Sequence, residues 1–217
     1  MRGSRQGSWA CWLARGLLLG VAIGALLPGL AQAGLYGPSA PPGAAWVRAV
    51  NAEAPGGLGI SVAGGPLESV AFAGSTAYHA VEPGTVRIDL GGHVVSIEAE
   101  PGVFLTVVAT ASAFHVILDT PLVDVSRGLL ALYNLTAIEA LELAVVDGPT
   151  VVAGVAPLSQ EAVTVTEAEV ALEVRAGGER VATLEPRLYE RGVAHSILVV
   201  EGADGPLVRY LKAVAAE

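Results

Sequence analysis

The sequence predicts an all-β protein: two tandem small antiparallel β-sandwich domains, the product of an internal duplication, behind a signal peptide. Three observations lead there. Short Val- and Ala-rich runs are punctuated by Gly and Pro at roughly the 8 to 12 residue spacing of a sandwich. The second half repeats the pattern of the first. The first 33 residues read as a targeting segment with no part in the fold.

In that segment Arg2, Arg5 and Arg15 precede an apolar run from Gly16 to Leu30, and Ala31-Gln32-Ala33 places small residues where signal peptidase reads them. The run is about 15 residues long and holds Pro28, against the roughly 20 residues of a spanning helix. Cleavage after Ala33 and secretion are therefore expected, with no membrane span in the mature chain. Cys11, the only cysteine, leaves with the peptide. The mature chain then has no disulfide, thiolate nucleophile or cysteine metal site. The formal net charge of −9 becomes more negative once the three arginines are lost. Such a chain is a poor partner for nucleic acid or an anionic membrane. It also repels a polyanionic polysaccharide at long range, with screening beyond about 8 Å.

A Pro/Gly-rich arm, Gly34 to Gly43, leads into the first expected strand, Ala45 to Asn51. Further strands are expected at Leu58 to Ala63, Ser69 to Ala73, Thr76 to Val81, Val86 to Leu90, Val94 to Ala99, Val103 to Ala109 and Ala113 to Leu118. Pro83-Gly84 and Pro101-Gly102 supply turns, Pro fixing φ at one corner and Gly accepting positive φ at the next. Gly91-Gly92 fits a two-residue hairpin loop between near-alternating runs. Gly205 to Glu217 suits either a strand or a helix.

The repeat sets Val47 to Asn51 over Leu130 to Asn134, and Ile60 to Pro66 over Leu143 to Pro149, at one constant offset. The offset then lengthens by three residues, and Gly91-Gly92 falls over Gly177-Gly178. The domains are expected at 34–120 and 125–217, with 121–124 as linker after Thr120, where Pro121 breaks the strand pattern. Alternation assigns Val47 and Ala49, echoed by Leu130 and Leu132, to the core. Trp46, Arg48 and Val50 face the other way. Their echoes Leu129, Ala131 and Tyr133 are apolar too, which points to burial of this second face by the arm or the neighbouring domain.

Little here suggests chemistry. His79, His93, His115 and His195 lack the spacing of a preformed metal pair, and no metal or cofactor set is read. His195 and Ser196 are neighbours on a strand, so they point to opposite faces and cannot act as base and nucleophile. There is no Gly-x-Ser-x-Gly elbow. Glu98 with Glu100, and Glu167 with Glu169, share strand faces and read as solvated surface. Asn134-Leu135-Thr136 fits a glycosylation sequon, but as the repeat of Asn51 it reads as a strand-closing asparagine. The candidate partner-binding patch is Trp46 and Arg48 with Tyr36 and Pro38 of the arm. The competing reading has Trp46 covered by that arm.

The run Leu35-Tyr36-Gly37-Pro38-x-Ala40-Pro41-x-Gly43, followed by Trp46 and Val-Arg-x-x-Asn, resembles the mature start of alginate O-acetylation accessory proteins, the AlgF family. Leu130 to Leu135, the linker proline and the segment from Leu184-Glu185-Pro186 to Glu190-Arg191-Gly192 resemble it as well. The resemblance implies a non-catalytic periplasmic adaptor for O-acetylation of alginate or a similar exopolysaccharide. Its implied partners are periplasmic polysaccharide O-acetyltransferases and a membrane-bound O-acyltransferase. A polysaccharide-binding module contacting polymannuronate is the second reading, and an acetyl carrier or transferase the third.

Overall fold

The structure, a computed structural model, describes residues 40, 42–53 and 56–213. The expected signal peptide, its cleavage point and most of the arm, including Tyr36 and Pro38, lie outside the described residues. The first eight strands are β1 (Ala45–Asn51), β2 (Leu58–Val62), β3 (Glu68–Val70), β4 (His79–Val81), β5 (Gly84–Leu90), β6 (His93–Ala99), β7 (Phe104–Ala109) and β8 (Phe114–Leu118). Then come β9 (Gly128–Leu135), β10 (Leu141–Val145), β11 (Thr150–Val155), β12 (Ser159–Val165), β13 (Ala168–Ala176), β14 (Glu179–Tyr189), β15 (Ala194–Gly202) and β16 (Gly205–Lys212). The C-terminal segment is thus a strand through Lys212, because β15 offers it a full antiparallel partner.

The duplication is complete at the level of topology. One sheet of the first sandwich has the order β4-β1-β7-β8 and faces β3-β2-β5-β6. In the second sandwich β12-β9-β15-β16 faces β11-β10-β13-β14, each strand taking the place of the one eight earlier. One pair in each copy departs from the expected antiparallel pattern: β1 with β7, and β9 with β15, run parallel. These strands are joined through the opposite sheet rather than by a hairpin, so the connection leaves parallel pairing open to them. The two-residue hairpins close as the sequence suggests. Gly91 and Gly92 have φ of +64° and +92°, and Gly177 and Gly178 of +57° and +84°, the double positive φ of a type I′ turn.

The echoed asparagines make the same bonds. Asn51 Nδ2 donates to the carbonyls of Gly56 and Val70, and its Oδ1 accepts from the Glu53 amide. Asn134 Nδ2 donates to those of Ile138 and Val155, and its Oδ1 accepts from the Thr136 amide. The β2–β5 register differs from that of its copy β10–β13: Val62 lies opposite Ile88, whereas its echo Val145 lies opposite Leu172. Leu172 is the counterpart of Val86, so the slip is two residues, an even number that keeps every inward side chain inward.

Each sandwich has its own core. Val47, Ala49, Ile60, Ile88 and Val107 meet in the first, and Leu130, Leu132, Leu143, Leu172 and Ile197 in the second. A third apolar cluster joins the domains: Val50, Val108 and Ile117 pack with Ala131, Tyr133, Leu135, Leu198 and Val200. The sheets containing β1 and β9 are therefore stacked through their outer faces, and the two sandwiches belong to one compact unit of four layers. For this reason β1, β7 and β9 are buried along their whole length. A domain of about 90 residues buries only a modest core of its own; the shared layer adds the missing apolar contact.

Candidate functional site

The polar residues on the outer face of β1 and β7 are drawn into the domain junction. Arg48 is 1% exposed and is among the largest fully buried side chains. Its Nε donates to Thr106 Oγ1 at 2.9 Å and its Nη2 to Ser196 Oγ of the second domain at 3.2 Å. The guanidinium lies over two rings, Tyr78 at 4.7 Å and Tyr133 at 5.1 Å from their centroids. Asp119, just past β8, is the anion of this knot. It accepts from the hydroxyls of Tyr78 at 2.7 Å, Thr106 at 2.6 Å and Tyr133 at 2.7 Å.

Four of these groups come from the first domain, while Tyr133 on β9 and Ser196 on β15 come from the second. Burial alone pulls the Arg48 pKa down, but Tyr133, Tyr78 and Asp119 around it outweigh that and hold it above the usual arginine value. Burial pushes the phenols of Tyr78 and Tyr133 well above theirs. At neutral pH the cation is thus permanent and both phenols keep the protons they donate to Asp119.

Trp46 is 8% exposed and packs with Phe104 and Tyr78, flanked by Ala40 of the arm and Ala213 at the far end of the chain. Its ring is stacked on Phe104 at 5.9 Å with 2° between the planes. The structure brings Trp46 and Arg48 onto one strand face but covers both, so neither ring nor guanidinium is a surface group. Asp119, Thr106 and Tyr133 escaped the sequence reading. The available signal was the pairing of a lone arginine on an apolar face with Asp119, the acid standing beside the linker proline.

His195 and Ser196 do diverge. Ser196 faces the knot, whereas His195 lies in the second sandwich with Nδ1 2.7 Å from the Tyr210 hydroxyl and Nε2 3.3 Å from the Glu190 carbonyl. Burial lowers the His195 pKa, so the ring is neutral at pH 7. Among the described residues no group of three His, Asp or Glu side chains is placed to hold a metal ion, and no helix is long and apolar enough to cross a membrane.

At the surface the conspicuous feature is β8. Phe114, Val116 and Leu118 are 40%, 44% and 66% exposed. They lie opposite Ala109, Val107 and Leu105 of β7, which belong to the first core. The three exposed residues therefore prolong the core-facing surface of that sheet beyond the sheet that should cover it.

A family model described as alginate O-acetyl transferase AlgF matches residues 17–196. The chain is 31% identical over 206 residues to the alginate biosynthesis protein AlgF of Pseudomonas aeruginosa, covering 94% of this chain and 93% of that one. It is also 31% identical over 200 residues to its namesake in Pseudomonas syringae pv. tomato, covering 91% and 86%. The solved C-terminal domain of AlgF from P. aeruginosa aligns with 40% of this chain and 98% of its own at 23% identity and a TM-score of 0.36. The N-terminal domain aligns with 38% and 100% at 27% identity and a TM-score of 0.33.

Proposed function

From the premise that this chain belongs to the AlgF family, we propose that it is a non-catalytic periplasmic adaptor in the O-acetylation of alginate or a similar exopolysaccharide. In this role it docks with periplasmic O-acetyltransferases and with a membrane-bound O-acyltransferase. The observation that carries the reading is the closed knot. Thr106 and Ser196 bear hydroxyls of the kind an acetyl-transferring enzyme acylates, yet they are 0% and 3% exposed and both oxygens accept from Arg48. A nucleophile needs an activating base and access to the donor. Here Asp119 is already engaged by three hydroxyls, and its part is to fix one domain on the other.

Within this proposal the arm with Tyr36 and Pro38 contributes docking contacts, and Trp46 and Arg48 anchor the strand into which it leads. Rigidly joined domains suit an adaptor, since a fixed angle between them holds two partners at a fixed separation. Co-purification of the intact chain with the acetyltransferases of its own gene cluster tests the reading. The expected result is a stable complex, with loss of polymer acetylation when the chain is deleted. No association together with intact acetylation in the deletion strain overturns it.

A further inference from the structure

Sheet edges are templates for pairing, and proteins that must stay soluble blunt them with charge, bulges or shortness. Of the eight terminal strands, β3 and β4 have three residues each. Strand β11 is irregular in register and carries Gly154 at φ +70°. Charged side chains stand on β6 (Glu98), β12 (Glu161), β14 (Arg180) and β16 (Arg209). Only β8, Phe-His-Val-Ile-Leu, has neither acid nor permanent base, is regularly paired along its length, and exposes three large apolar side chains.

Its backbone is oriented for pairing. The Thr110 amide donates to the Ala113 carbonyl and the Asp119 amide to the Phe104 carbonyl. Those bonds fix the parity of the ladder: the amides and carbonyls of His115 and Ile117 turn toward β7, and those of Phe114, Val116 and Leu118 turn outward. The three residues with exposed apolar side chains are thus the three with outward backbone groups.

We infer that β8 is the docking edge, taking an extended segment of the acetyltransferase partner as an additional strand with apolar residues at alternate positions. The partner's main chain meets the outward amides and carbonyls, and its alternate side chains cover Phe114, Val116 and Leu118. A second copy of this chain is the poorer occupant, because two bodies of net charge −9 repel each other and β8 contributes no charge to offset that. The inference rests on the adaptor reading and adds to it the surface and the mode of contact.

The test uses the full chain and a purified periplasmic acetyltransferase from the same gene cluster, with affinity measured by titration calorimetry. Val116→Lys and Leu118→Lys are each expected to weaken binding at least tenfold. Leu188→Lys, at an exposed apolar site on β14 of the second sandwich, is expected to leave it unchanged. Hydrogen exchange of the wild-type complex, which needs no variant, is expected to show slowed amides at Phe114, Val116 and Leu118. If the wild-type chain binds but neither substitution weakens binding and the three amides exchange freely, the β8 inference is overturned while the adaptor reading survives. Absence of wild-type binding overturns both. If the substitutions abolish only self-association in sedimentation, the edge belongs to a second copy and the inference fails.

Discussion

Replacing Arg48 by Met removes the cation of the interdomain knot while keeping most of the apolar stem. Two hydrogen bonds are lost, to Thr106 and to Ser196, together with the stacking on Tyr78 and Tyr133. Asp119, 5% exposed, is left as a buried anion without its cation. Arg48 reaches Asp119 through the shared Thr106 hydroxyl. Leaving a buried polar partner unsatisfied costs about 1–3 kcal/mol; Arg48 serves two such partners while Asp119 still accepts from three hydroxyls, so the loss is about 3 kcal/mol. Urea unfolding of the purified chain, followed by fluorescence and by circular dichroism, measures it. Because Tyr133 and Ser196 bring the second domain into the knot, the variant should also separate the unfolding of the two domains into distinct transitions. A double-mutant cycle with Tyr133→Phe should give a coupling energy above about 1 kcal/mol. A loss below about 1 kcal/mol, with a single unchanged transition, would refute the role assigned to Arg48.

Three further outcomes are expected. Asn51→Ala and Asn134→Ala each free two carbonyls and an amide from their side-chain partners, and each should cost roughly 1–3 kcal/mol by thermal or urea unfolding; a large cost at one site and none at the other would contradict their equivalence. Expressed in a glycosylating host, the chain should show no glycan at Asn134 by mass spectrometry, because its Nδ2 is 0% exposed as part of the residue and is bonded to two carbonyls. His195 has a folded pKa below its unfolded value, so the unfolded chain binds the extra proton first. Its contribution to stability is present above about pH 6.5 and is lost as pH falls through the lowered folded value. His195→Gln, next to Tyr210, Glu190, Lys212 and Arg187, should flatten that acid slope in unfolding experiments, and an unchanged slope would move its origin to other groups.

The strands were legible because turn chemistry marks their ends. All eight expected in the first half have a strand, though the third ends at Val70 rather than Ala73, and the fourth begins at His79 rather than Thr76, whose hydroxyl instead accepts from the Ala49 amide and donates to the Ala77 carbonyl. The assignment of Val47 and Ala49 to the core followed from period two and from the echo at Leu130 and Leu132. The apolar character of the second face also foretold a covering neighbour, which is the other domain. The fate of Arg48 was hidden. Composition places arginine outside, and its burial is made tolerable by groups remote in sequence: Thr106, Ser196, Tyr78, Tyr133 and Asp119. Arg48 and its echo Ala131 thus break the repeat where the copies meet, as do Val50 and Tyr133. Two identical faces could not supply both sides of one knot. The slip of the β10–β13 register was also hidden, since an even slip leaves the hydrophobic pattern unchanged.

In the proposed role this chain docks an acetyltransferase without itself carrying the acetyl group. Native mass spectrometry of the full chain mixed with a purified acetyltransferase from its gene cluster and an acetyl donor reads both halves of the claim in one spectrum. The expected result is a complex in which this chain keeps its unmodified mass. A chain that stays unbound, or one that gains the mass of an acetyl group, would contradict it.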